Sequence, residues 1–172
     1  MPSHFIGLVT NDGGPNPAEE LEGLVNQSLN SENGHVAWFK NSLTDNQFEL
    51  SGQSICIIFR RLPQGDKIEA VVARILKRDG FPAPDEIVSF YEPYRNLKQF
   101  WRLGGIGDNS QNPDLVKVEF ESLDEIPGVS YAGWVRASQT FGNQASIAFW
   151  NFPENFNPLK WLRDFKNNDV KT

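Results

Sequence analysis

Residues 48–77 read FELSGQSICIIFRRLPQGDKIEAVVARILK and hold two apolar runs separated by a polar break. The runs are residues 55–59 and 70–76, and the break is residues 63–66. Apolar runs of this length, rich in Ile and Val and bounded by Gly, Pro and Asp, predict two strands joined by a turn. Because both runs are almost continuously apolar, we expect the sheet to be covered on both faces at this hairpin.

The rest of the chain predicts further short strands and a few helices. A helix is expected at 17–29, after an Asn16 cap and Pro17 at its first position, and another after Asn157 and Pro158. A short helix is expected after Ser122, because Ser122 and Glu125 have capping-box spacing. Further strands are predicted at residues 4–10, 35–40, 86–91, 116–120, 129–137 and 145–150. The pattern predicts one domain over residues 1–172, of the α+β class and β-rich: a mostly antiparallel barrel with two or three flanking helices.

Composition leaves two interpretations of the aromatic residues open. Five Trp and thirteen Phe in 172 residues either fill a β-core or supply a stacking pocket for a flat or sugar ligand. The net charge is −6, but residues 60–102 contain nine Lys or Arg against six Asp or Glu. An acidic protein with this local excess can carry a basic face.

The sequence displays no catalytic or metal-binding motif. His4 and His35 have no Cys or His neighbour at ligand spacing, and Cys56 lies inside an apolar run. We therefore expect no cofactor and no metal, and we favour a non-catalytic protein. One cysteine cannot form an intramolecular disulfide, and the chain shows neither a signal peptide nor a membrane span, so we expect a cytoplasmic protein.

Residues 91–102 read YEPYRNLKQFWR and interleave aromatic with basic side chains. This pattern is typical of nucleic-acid surfaces, where rings stack on bases and cations meet phosphates. The same rings could instead complete the core of a β-protein.

The order of elements and the stretch from Trp38 to Ile75 resemble the EVE family of PUA-like domains, which are YTH-like and include readers of modified bases. The matching features are Trp38, Lys40 and Asn41, then residues 51–53, and then the strands at 55–59 and 69–75. Gln53 stands where the family usually has Asp, and Phe39 adds a ring. The resemblance covers residues 4–102 and implies a PUA-like barrel.

The resemblance also implies a way of recognising nucleic acid. A flipped or unpaired base of DNA or RNA, carrying a modification, would enter an aromatic pocket at the barrel rim. Trp38 would form one stacking wall, Trp101 and Tyr94 a second wall, and Asn41 or Ser42 would read the base edge. Arg60, Arg61, Arg95 and Arg102 would meet phosphates.

Other functions remain open at this point. Residues 108–125 contain six acids and one Lys, so they could form an acidic surface for a basic protein partner, as in a phage or defence-related inhibitor. A carbohydrate platform on Trp134 or Trp150, or an enzyme on a PUA-like scaffold, are further alternatives. A positive groove that contains Trp38 and Trp101 would favour the reader. A negative face at residues 119–125, with both rings buried, would favour the interaction module.

Overall fold

The structure is a computed structural model that describes residues 4–9, 16–31, 34–39, 50, 54–80, 83–93, 99–106, 115, 117–130, 132, 147–150 and 152–170. The strands are β1 (His4–Leu8), β2 (Val36–Trp38), β3 (Ile55–Arg61), β4 (Ile68–Gly80), β5 (Gln99–Gly104), β6 (Lys117–Phe120) and β7 (Ile147–Trp150). The α-helices are α1 (Pro17–Asn30), α2 (Asp85–Tyr91) and α3 (Pro158–Val170), and a 3-10 helix covers Leu123–Glu125.

The predicted hairpin is confirmed as β3 and β4, and it lies in the middle of the sheet. The strands follow the order β2-β5-β4-β3-β1-β7, and β6 pairs with β4 as well. Gly65 takes a positive φ of 62° in the connecting turn, a conformation that glycine adopts without strain. Five of the six pairings among the described strands are antiparallel, and only β1–β3 is parallel.

The sheet is open, so the predicted barrel is not confirmed. Its end strands are β2 and β7, and no pairing within the described residues joins them. One edge of β4 is divided between two partners: β6 pairs with residues 68–71 and β5 with residues 74–80. The register shifts by one residue between Ile75 and Lys77, which is the mark of a β-bulge. The fold is therefore a mixed α and β architecture built on an open, mostly antiparallel sheet.

Both faces of the hairpin are buried, as its continuous apolar sequence predicts. Cys56, Ile58 and Val71 belong to a core layer that also contains side chains of α1 and α2. Ile57, Phe59 and Val72 belong to a second layer, against which α3 and the 3-10 helix pack. Alternate residues of each strand thus pack into two different core layers, one on each face of the sheet.

Several local predictions are confirmed by their capping contacts. Asn16 Oδ1 accepts a hydrogen bond from the Glu19 N–H at 3.2 Å, and Asn157 Oδ1 accepts from the Lys160 N–H at 3.1 Å. Ser122 caps the 3-10 helix through the Asp124 N–H at 3.0 Å. These contacts satisfy helix N–H groups that have no partner inside the helix.

The prediction of a strand at 86–91 is wrong, because these residues lie in α2. Pro84 precedes the helix, Asp85 and Glu86 occupy its first turn, and the Ile87 N–H donates to the Pro84 carbonyl at 3.0 Å. Acidic residues favour a helix N-terminus, and this signal prevails over the β-propensity of Ile, Val, Phe and Tyr. The strand predicted at 129–137 falls mostly outside the described residues; of the described ones, Val129 and Ser130 are irregular and Ala132 is helical, so none of them is in a strand.

Candidate functional site

Trp38, predicted as a stacking wall, is a core residue in the structure. Its side chain is 0% exposed, and its indole Nε1–H donates to Glu20 Oε2 at 2.8 Å. The ring lies nearly parallel to Phe5, with centroids 5.9 Å apart. A base could reach this ring only if the indole left the core.

Trp101, predicted for the second wall, is buried beside it. The two residues are register partners on β2 and β5, and Trp101 is 3% exposed. The Arg78 guanidinium lies over the Trp101 ring, 5.5 Å from its centroid, in a cation–π contact. The structure thus brings the two predicted rings together, but inside the protein rather than around an open pocket.

The predicted arginines do not form one group. Arg60 Nε donates to Glu69 Oε1 at 3.0 Å, and Arg61 is exposed at the end of β3, near the hairpin turn. Arg102 pairs in register with Lys77 of β4. Lys77 lies eight residues beyond Glu69 on the same strand, and eight residues of an extended strand span about 26 Å. Asn41, Ser42, Tyr94 and Arg95 lie outside the described residues.

Arg102 instead belongs to a basic cluster that we define as Arg74, Lys77 and Arg102. Arg74 and Lys77 pair with Gly104 and Arg102 across the β4–β5 ladder, on either side of the bulge. Burial, followed by the positive charges of Arg102, Arg74 and Lys77, lowers the pKa of His35. These three cations therefore act together on one histidine, which stays neutral at neutral pH.

Sequence reasoning identified Arg102 but missed the other members of this cluster. The signal that was present was the excess of Lys and Arg over Asp and Glu in residues 60–102. The signal that was missing was the register of β4 against β5, because it depends on the bulge between Ile75 and Lys77. Without that register, Arg74 and Lys77 could not be placed beside Arg102.

A cleft of about 740 Å³ adjoins the basic cluster. It is lined by His4, Ile55, Arg74, Ile106 and the segment 152–159, which leads into α3. Arg74 belongs to both features, and its Nε–H donates to the Gly105 carbonyl at 3.0 Å. This hydrogen bond fixes the guanidinium where the cleft meets the cluster.

Two aromatic rings and His4 shape one side of the cleft. The Phe152 ring meets the His4 ring edge-on at 4.9 Å and lies 24° from parallel to Phe156, with centroids 4.8 Å apart. His4 Nδ1 accepts a hydrogen bond from the Ile55 N–H at 3.0 Å. Burial lowers the pKa of His4, so its neutral form, with the proton on Nε2, is favoured.

Two glycine-like conformations hold the segment 152–157 in place. Asn155 adopts a φ of 66°, and Gly128, with a φ of 80°, packs directly on Pro153. A Cβ built on Gly128 would lie 2.9 Å from Pro153 Cδ, closer than carbon atoms approach without displacement. Gly128 therefore determines where this side of the cleft lies.

A second charged feature is an acidic surface, which we define as Glu119, Glu121, Asp124 and Glu125. All four residues are exposed, with the side chains of Glu119 and Glu121 at 58% and 76%. Lys67 Nζ lies 3.8 Å from Glu119 Oε1 and 3.7 Å from Glu121 Oε1. Lys117, on the same strand, pairs with Glu22 of α1. This surface is the described part of the predicted acidic segment 108–125.

The described residues offer little for catalysis. Cys56 is buried in the core, and burial raises the pKa of its thiol, which disfavours the reactive thiolate. No three His, Cys, Asp or Glu side chains among the described residues are grouped so that they could hold a metal ion. In the same part of the chain, no helix has the length and apolar character needed to cross a membrane.

The chain matches no protein-family model, no curated protein and no solved structure. The similarity to EVE domains stays a prediction, and function must be inferred from the geometry of the chain itself.

Proposed function

We propose that this protein is a non-catalytic nucleic-acid-binding module of the cytoplasm, which holds a phosphate backbone on the basic cluster of β4 and β5. The observation that carries the proposal is the convergence of Arg74, Lys77 and Arg102 on the β4–β5 ladder of an acidic protein. Cations grouped in this way supply most of the affinity for a polyanion.

The geometry favours a different arrangement from the one that the EVE resemblance implies. Trp38 and Trp101 hold β2 against β5 from inside the core, and β5 carries Arg102. The ring against Arg102 is the buried Phe100, whereas Phe152 and Phe156 are partly buried and line the cleft that Arg74 shares. An unpaired or flipped base, modified or not, would be read there rather than at Trp38.

The proposal is tested by fluorescence-anisotropy titration of short single-stranded and duplex DNA and RNA, with and without methylated bases. Arg74→Gln and Arg102→Gln remove one charge each from the basic cluster. Arg163→Gln, an exposed arginine of α3 that does not line the cleft, is the matched control. We expect both cluster variants to weaken binding by about fivefold or more, with Arg163→Gln close to the parent protein. A parent protein that binds no probe at low salt would overturn the proposal.

A second function is favoured by the acidic surface together with the burial of both tryptophans. In this alternative the chain is an interaction or inhibitory module whose acidic surface engages a basic protein. Lys67 lies within 4 Å of two of these four exposed carboxylates, Glu119 and Glu121, so the described surface keeps an excess of negative charge. We expect Glu119→Gln with Glu121→Gln to abolish binding to a poly-lysine peptide at low salt, whereas Asp85→Asn with Glu86→Gln on α2 leaves it intact. Equal loss in both double variants would contradict a specific acidic surface.

A further inference from the structure

The cleft beside the basic cluster combines three features. It contains a cation that a backbone carbonyl holds in place, a histidine with a defined tautomer, and a pair of stacked phenylalanines. Its volume of about 740 Å³ lies within the range of small-molecule sites and is too small for a duplex.

We infer that this cleft binds one planar aromatic ring that carries an anionic group, which is the chemistry of a nucleoside monophosphate. The ligand could be a free nucleotide or one unpaired nucleotide of a strand. In the second case the inference rests on the proposed function and deepens it, because the neighbouring phosphates would continue onto Lys77 and Arg102.

The aromatic part of the ligand is assigned to Phe152 and Phe156. Their rings already stack on each other, and both side chains are only partly buried. A base added to this stack would gain a ring contact that does not depend on its identity. Gly128 packs against Pro153 and so holds the segment 152–157 in place. The stacking surface is therefore formed before the ligand arrives.

The anionic part is assigned to Arg74. Its Nε–H donates to the Gly105 carbonyl, which orients the planar guanidinium at the cleft wall. A guanidinium that is held in one orientation suits a phosphate, because it can donate two parallel hydrogen bonds. Glu154, which also lines the cleft, has the opposite charge and would favour a ligand edge that donates hydrogen bonds, such as an exocyclic amino group.

His4 is assigned the role of donating a hydrogen bond to an acceptor atom of the ligand. Since Nδ1 accepts from the Ile55 N–H, a neutral imidazole must carry its proton on Nε2. The ring lines the cleft, where Nε2–H would donate to a carbonyl or ring nitrogen of the ligand. His4→Asn distinguishes the roles of the two nitrogens. Asn Oδ1 can still accept a hydrogen bond from the Ile55 N–H, as Nδ1 does, while the donor at Nε2 is lost.

The test is a two-dimensional NMR titration of the full chain with AMP, GMP, CMP and UMP, and with adenosine and inorganic phosphate as partial ligands. A 12-nucleotide single strand is titrated in parallel. Phe156→Leu removes the ring while keeping an apolar side chain, His4→Asn removes the donor, and Arg163→Gln is the control. We expect at least one nucleotide to shift the resonances of His4, Arg74 and Phe156 and to bind about fivefold or more weakly to Phe156→Leu. Adenosine and phosphate should bind more weakly than AMP.

The first two outcomes below separate the inference from the proposed function. A single strand that binds equally to the parent and to Phe156→Leu, without any nucleotide binding, overturns the cleft assignment and leaves the basic cluster standing. Nucleotide binding without strand binding supports the cleft as a free-nucleotide site and overturns the proposed function. No shift with any ligand overturns both. Unchanged amide spectra of the free variants show that a loss of binding is not a loss of fold.

Discussion

The indole of Trp38 donates its Nε1–H to Oε2 of Glu20 at 2.8 Å, with both side chains buried. The same carboxylate oxygen accepts from the Tyr91 hydroxyl at 3.0 Å. Glu20 therefore joins α1 to strand β2 and to helix α2. A tryptophan that the sequence presents as a ligand wall is instead part of the contact that holds the helices on the sheet.

Removing the carboxylate should destabilise the fold. Glu20→Ala leaves two buried donors, Trp38 Nε1–H and Tyr91 O–H, without their acceptor, and we expect a loss of about 2–4 kcal/mol of unfolding free energy. Glu20→Gln should cost clearly less, because one amide oxygen can accept from both donors. Urea denaturation followed by tryptophan fluorescence measures both. Equal stability of the parent and Glu20→Ala would show that this contact does not hold the fold.

Gly128→Ala should destabilise the protein and disturb the cleft. The residue has a φ of 80°, and its Cβ would lie 2.9 Å from Pro153 Cδ, so we expect a cost of about 1–2 kcal/mol. Gly23→Ala is the matched control: it lies inside α1 with nothing within 4 Å of its Cβ, and it should stabilise the chain by about 0.5–1 kcal/mol. Thermal unfolding of both variants measures the difference. Changes of the same sign would contradict the contact between Gly128 and Pro153.

The free energy of unfolding should fall as the pH drops from about 7 to about 5.5. Burial lowers the pKa of His4 and of His35, so in this window the unfolded chain binds protons that the folded chain does not. Stability that depends on a neutral folded histidine is present above the unfolded pKa and is lost as the pH falls below it.

The His4 contribution is isolated by urea denaturation of His4→Asn at several pH values. We expect the variant to lose part of the pH dependence and to keep the part that belongs to His35. The charged side chains that line the cleft with His4 are Arg74 and Glu154. A pH profile identical to that of the parent protein would show that His4 is not held neutral.

Local sequence signals predicted much of the fold. The hairpin, the two Asn-capped helices and the strands at β1, β2, β6 and β7 follow from runs, caps and alternation that lie within a few residues. Local signals could not decide whether the sheet closes into a barrel. Closure depends on whether β2 and β7 pair, and these strands are about 110 residues apart in the chain. The helix at Asp85–Tyr91 was missed because its apolar residues suit both a strand and a short helix.

The candidate site was harder to predict than the fold. The pattern of an aromatic residue near a basic one is the same whether the aromatic ring is buried or exposed. Trp38 and Trp101 therefore could not be assigned to the core from sequence. Arg74 meets the segment 152–159 only through the tertiary structure, and Phe152 and Phe156 carry no motif. The excess of Lys and Arg in residues 60–102 indicated the part of the chain that contains the basic cluster, but it did not identify the members of the cluster.

The most direct test of the account is the salt dependence of single-stranded nucleic-acid binding by the parent protein and by Arg102→Gln. If the basic cluster holds phosphates, the logarithm of the association constant falls linearly with the logarithm of salt concentration, and Arg102→Gln reduces the magnitude of that slope by about 0.7. Arg163→Gln should leave the slope unchanged. Binding whose slope is the same in the parent and in Arg102→Gln, or no binding at low salt, would contradict the assignment of the basic cluster as a phosphate site.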